Sequence, residues 1–294
     1  MIYYLLQWFW NLFSFKPLRV MYVLSDGLFY LLYYLIRYRR KVVRTNLTES
    51  FPDKSLLEIR KIEKQFYSFF IDMVFETCKM ATISHKKISQ RMKFTNLEAI
   101  EAILQQGKSI SLYLGHYGNW EWISSMPLHL DKKMGVIAGQ IYHKLHNKAI
   151  NQLLIGNRER MGAICIEMNE TPRRINGFVN NQQVSIIGYA ADQSPKKRFI
   201  RHYVQFLQHH TPVITGTEKL TKRYGFEAWY VDVKRLKRGY YEANFVRLHD
   251  NPQLLPDFEL TDLYYQHLEQ TILRQPELYL WTHNRFKYAS KINA

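Results

Sequence analysis

In the stretch Leu-Gly-His-Tyr-Gly-Asn-Trp-Glu-Trp, residues 114–122, a histidine closes an apolar run and a carboxylate follows five positions later. Imidazole exchanges protons near neutral pH. A carboxylate bound to one ring nitrogen leaves the other free to take a proton. On a continuous helix His116 and Glu121 would point about 140° apart. They meet if the chain turns at Gly118 and a helix begins near Asn119, with Asn119 as the N-cap and Glu121 in the first turn, where the helix dipole favours an acid. The spacing therefore predicts a His116–Glu121 pair, with His116 as base, activating a hydroxyl on a substrate rather than a nucleophile of the protein's own. A zinc-protease pattern would require a second histidine one helical turn on, which is absent. The two cysteines, Cys78 and Cys165, and the eleven histidines show no metal-ligand spacing, so neither metal nor cofactor is expected.

Such a pair needs a rigid strand end to hold it. Apolar runs at 109–115, 134–139, 163–168 and 183–190 read as buried strands. Segments with helical periodicity, 148–162 and 171–181, lie between the later ones. Strand–helix alternation predicts an α/β fold with a mixed, largely parallel central sheet flanked by helices. A helix is predicted from Ser55, its N-cap, to about Thr82, and another over 211–225. A long hairpin follows, turning at Lys237-Arg238-Gly239, and a last helix runs from about Thr261 to Arg274. His116 then sits immediately beyond a buried strand, where such folds place chemistry.

The first residues have a different character. Residues 1–13 are almost wholly apolar and aromatic, and Val20–Ile36 is apolar except for a few residues such as Asp26. Five of the eight residues from Arg37 to Arg44 are Arg or Lys. No basic n-region precedes the apolar run, which argues against a secretory signal. Leu18–Ile36 is slightly shorter than the roughly 20 residues a span requires and carries Arg19 and Asp26. Both a single span and an interfacial anchor fit. Residues 1–50 are thus expected to form a membrane anchor with a basic juxtamembrane segment, and 51–294 a catalytic domain on the cytoplasmic side. The net charge of +16 calls for an anionic partner or surface. Nucleic acid is disfavoured, because the aromatics crowd the apolar N-terminus rather than alternating with Lys and Arg.

Six blocks in order along the chain carry a resemblance. They are 38–52 (YRRKVVRTNLTESFP), 114–122, 141–162 ending in Arg158-Glu-Arg160-Met-Gly, 188–195 (GYAADQSP), 206–225 and 276–287 (PELYLWTHNRFK). Together they resemble the late acyltransferases of lipid A biosynthesis, the lauroyl/myristoyl family of Gram-negative inner membranes. The resemblance implies transfer of a fatty acyl group from acyl carrier protein to a hydroxyl of a lipid A precursor. His116 is then the general base and Glu121 its partner. Arg160 is implied to bind acceptor phosphate or steady the oxyanion, with Arg158 sharing that work. Asp192, the acid of a further block, and Asn119 are expected among the substrate-binding residues. The chain departs from the pattern after Phe206, where Leu207-Gln208-His209-His210 stands in a place many relatives fill with glycine. Acylation of another glycolipid or aminolipid and hydrolysis of the donor to free acid are the alternatives the same residues allow.

Of the remaining features, Lys196, Lys197, Arg198 and Arg201 are expected in a loop, as a docking patch or a solvated one. His209 and His210 are expected as exposed loop residues. His283 and Arg285, beside Trp281, are expected to close the core.

Overall fold

The computed structural model describes residues 2–291, with side chains for 7–290. Met1 of the expected anchor and residues 292–294 of the expected catalytic domain lie outside the described residues. Four helices come first: α1 (Ile2–Ser14), α2 (Leu18–Tyr30), α3 (Arg40–Ser50) and α4 (Leu56–Lys79). Pro17, which does not continue a helix, separates α1 from α2, and a π-helical turn (Leu31–Ile36) extends α2. Ser55 caps α4 as predicted, in a reciprocal capping box with Glu58. Then follow α5 (His85–Arg91), β1 (Met92–Thr95), α6 (Leu97–Gln105), β2 (Ile110–Leu114), β3 (Ile137–Tyr142), α7 (Lys148–Glu159), β4 (Ile164–Glu167), α8 (Thr171–Asn180) and β5 (Ser185–Ala190). The chain ends with β6 (Tyr203–Phe206), β7 (His209–Pro212), α9 (Gly216–Tyr224), β8 (Glu227–Lys237), β9 (Tyr240–His249), α10 (Glu259–Arg274) and β10 (Ser290–Lys291).

Seven strands form one sheet in the order β1-β9-β8-β2-β5-β3-β4. The run β8-β2-β5-β3-β4 is parallel, β9 returns antiparallel to β8, and β1 joins β9 in parallel. This is the mixed, largely parallel α/β sheet expected. All five residues of β2 are buried, as an inner parallel strand covered on both faces requires. Gly139 of β3 marks a tight layer there, since an added Cβ would lie 2.7 Å from Ile187.

The helix expected over 211–225 starts only at Gly216. His209–Pro212 instead pairs with β6 and β10 in a small antiparallel sheet. His209 is accordingly buried, stacked on Phe286 at 3.7 Å, whereas His210 is exposed. The β6–β7 connection is a two-residue turn with both Leu207 and Gln208 at positive φ (50° and 64°). A tight hairpin of this hand favours glycine at those two positions.

Candidate active site

Leu114 and Ala190 are direct partners in the parallel pairing of β2 with β5. The chain leaves both strands at the same edge, and two residues further on stand His116 and Asp192. Their side chains meet: His116 Nδ1 lies 2.6 Å from Asp192 Oδ1. Asp192 is an ionised acceptor, so Nδ1 carries the proton. His116 Nε2 then accepts from Gln193 Nε2 at 3.3 Å and is the ring's basic atom. Asp192 is buried, and His116 retains some exposure.

The electrostatics follow from this contact. Burial works to lower the His116 pKa, but the charge and hydrogen bond of Asp192 outweigh it, with Glu121 adding to the rise and Arg158 opposing it; the net shift is upward. For Asp192 burial works upward, and His116 outweighs it to give a pKa below the ordinary carboxylate range. His283 lies close by, its Nε2 accepting from Ser194 N at 3.2 Å. Burial first, then neighbouring cations, push its pKa down to about 4, so this ring is neutral at physiological pH.

The predicted His116–Glu121 hydrogen bond is not formed. Glu121 stands just before the 3-10 helix Trp122–Leu128 and binds Arg158 of α7 through both oxygens, Nε to Oε2 at 2.8 Å and Nη2 to Oε1 at 2.7 Å. Two charge-assisted bonds in a buried fork are stronger than one bond to an imidazole. The sheet register, meanwhile, brings Asp192 to the ring. Glu121 acts on His116 only through its charge. Arg158, placed by the sequence among acceptor-binding residues, has its fork committed to this pair.

The turn itself forms as anticipated at Gly118, which has φ +59°; an added Cβ there would lie 2.7 Å from Val233 Cγ1. The helix starts later than expected, as a 3-10 helix at Trp122 with Glu121 rather than Asn119 as its N-cap, and the Asn119 side chain accepts from Trp122 N at 3.0 Å. Asn119 is fully buried, however, and its Nδ2 donates to Glu76 Oε2 at 2.7 Å, so it supports the turn from beneath. Glu76 also accepts from Tyr22 of α2 and Tyr241 of β9, at 2.7 and 2.8 Å. Arg160 is exposed just after α7 and donates Nη1 to Met80 O at 2.9 Å.

A clamp from the C-terminal block holds the loop in place. Gly118 N donates to Leu278 O and Leu280 N to His116 O, at 3.0 and 3.1 Å. Arg285, fully buried, ties Pro212 O, Thr211 and Tyr265 together, and Tyr265 donates to Ala191 O beside Asp192. Beside the site, Leu112, Leu114, Ile123, Met126, Ala138 and Ile186 line an apolar crevice between the sheet and the 3-10 helix. The sequence patterns do not mark Gln193, Glu76 and His283 as site residues. Gln193 adjoins Asp192 in its block and His283 lies in the last block, whereas Glu76 gives no local signal within a helix of apolar periodicity. Among the described residues no group of three potential metal ligands converges.

Compared with known families, the chain matches that described as bacterial lipid A biosynthesis acyltransferase, over residues 1–288. No curated protein is similar enough to count as a match.

Proposed function

Because the chain belongs to the bacterial lipid A biosynthesis acyltransferase family, we propose that it moves a fatty acyl group from the thioester of acyl carrier protein to a hydroxyl of a lipid A precursor at the cytoplasmic face of the inner membrane. The observation that carries this reading is His116, held by Asp192 through Nδ1 with Nε2 left as a base at the strand edge.

Nε2 takes the proton of the acceptor hydroxyl as its oxygen attacks the thioester carbonyl. The C–S bond breaks, and the imidazolium returns the proton to the departing thiolate. Asp192 fixes the ring and stabilises the imidazolium without becoming protonated itself. The Glu121–Arg158 pair locks α7 to the catalytic turn. Arg160, exposed at the end of α7, is the arginine available for an acceptor phosphate, for which a planar fork is suited. The residues lining the crevice are mainly apolar, and the chain's positive charge suits an acidic carrier protein.

The test is incubation of the purified chain with acyl carrier proteins of different acyl length and a tetra-acylated lipid A precursor, read by mass spectrometry. Acylated precursor is expected from the wild type and none above background from a folded His116→Ala variant. Release of free fatty acid without acylated precursor, or full transfer by the variant, overturns the reading.

A further inference from the structure

The helix Leu18–Ile36 is apolar and long enough to reach across a bilayer: its 19 residues measure about 28 Å. Its inner side, however, is polar and occupied. Tyr22 donates to Glu76 Oε1 and Ser25 Oγ to Asp72 Oδ1, both at 2.7 Å, and Tyr33 meets Tyr67 edge to face at 5.4 Å. Before the helix, Phe13 packs on Phe75 at 5.0 Å; after it, Arg40 and Arg44 reach Glu63. Moving forward from residue 13 to 44 moves backward along α4 from 75 to 63. Leu18–Ile36 therefore runs antiparallel to α4, in contact with it from Glu76 back to Tyr67.

The catalytic body grips α4 in turn. Trp122 Nε1 donates to Glu76 O, Asn157 Nδ2 to Thr77 O, and Arg235 and Arg238 bind Asp72. Arg238, from the β8–β9 turn, also holds Asp26 and Tyr22 O of α2. Were Leu18–Ile36 to cross the bilayer, it would carry α4 into hydrocarbon, with its exposed Arg60, Lys61 and Lys64 and the Asp72–Arg238 cluster. Charges at that depth are expensive.

The outward side is the opposite in character. Val23, Leu24, Tyr30, Leu31 and Leu35 are exposed along one side, and Trp8, Phe9 and Leu12 of α1, with Phe15 just after it, are exposed as well. Exposed cations stand at both ends, Lys16 before the helix and Arg19 in its first turn, and Arg37, Arg39 and Lys41 after it. Cations at both ends of a span would place one set on the wrong side. Beside an interfacial helix they flank the apolar strip and meet anionic headgroups.

We infer that α1, α2 and its π-helical extension lie in the plane of the membrane interface as one monotopic face, on a bilayer containing anionic phospholipid, and that Leu18–Ile36 does not cross it. This inference rests on the reading that the acceptor is a membrane lipid. Two measurements on the full chain test it. In a Cys165→Ser background, with Cys78 buried, Lys16→Cys and Lys41→Cys are labelled in sealed inverted membrane vesicles by an impermeant maleimide. Equal labelling of both, unchanged by detergent, is expected; protection of one until detergent is added shows a span and overturns the inference. Separately, Val23→Asp with Leu35→Asp is expected to weaken binding to vesicles of phosphatidylglycerol and phosphatidylethanolamine at least tenfold while leaving the thermal midpoint in detergent unchanged. Unaltered vesicle binding overturns it, as does finding that the same pair of changes dissolves a dimer in solution and leaves vesicle binding intact. Acyl transfer in detergent micelles, assayed on the same preparations, fails independently if the functional reading is wrong.

Discussion

His116 holds its proton more tightly than an ordinary imidazole because a buried carboxylate faces it, and that contact predicts a pH profile. Only the neutral ring accepts a proton, so the acid limb of kcat/KM should lie above the ordinary histidine range. Removing the Asp192 charge lowers the His116 pKa. Asp192→Asn should therefore move the acid limb to lower pH while cutting kcat by roughly 10²–10⁴-fold. An acid limb that stays in place would show that Asp192 does not tune the base. Glu121 makes a different prediction. Its loss leaves Arg158 nearly buried and unpaired, so Glu121→Ala should cost about 3–5 kcal/mol of stability, read as a lowered urea midpoint.

At the scale of elements, two joints are informative. Glu76, on α4, holds the turn after His116 through Asn119, the first helices through Tyr22 and the sheet through Tyr241. Burial above all raises its pKa to about 6. A carboxylate that binds its proton more tightly when folded contributes most below its unfolded pKa, and that contribution fades as pH rises through the folded value. Wild-type stability should thus decline between about pH 4.5 and 6 through this group, and a Glu76→Gln variant should lack that slope, as urea unfolding at several pH values will show. The β6–β7 turn is the second joint. Gln208 is exposed and left-handed at φ 64°. Gln208→Gly relieves about 1–2 kcal/mol of steric cost against a larger entropy loss for glycine. A gain of up to about 1 kcal/mol in unfolding free energy is expected.

Over the whole molecule, if the donor is the acidic carrier protein proposed above, the net charge of +16 should govern its encounter with the chain. Raising the salt from about 0.01 to 0.15 M shortens the Debye length from about 30 to 8 Å. kcat/KM for acyl carrier protein should then fall roughly tenfold with kcat little changed. A salt-independent kcat/KM would assign the charge to the membrane alone. The same charge serves both partners if the basic ends of α2 rest on the bilayer and the catalytic edge faces the carrier.

The inner strands β2 to β5, the helices between the later ones and the β8–β9 hairpin were legible in the sequence because apolar period and turn residues are local properties, whereas β1, α6 and the small sheet of β6, β7 and β10 were not. Also legible were the strand-end position of His116, the turn at Gly118 and the cap at Ser55, each fixed by neighbours a few residues away. The partner of His116 was not. Asp192 is 76 positions distant, and only the register that pairs Leu114 with Ala190 sets the two side chains face to face. The nearer acid, Glu121, has its carboxylate taken by a guanidinium from a helix whose position depends on packing. Leu18–Ile36 shows the same division: composition made it apolar and long enough for a span, and its packing along α4 decided which side chains are keyed to protein and which are left to the lipid.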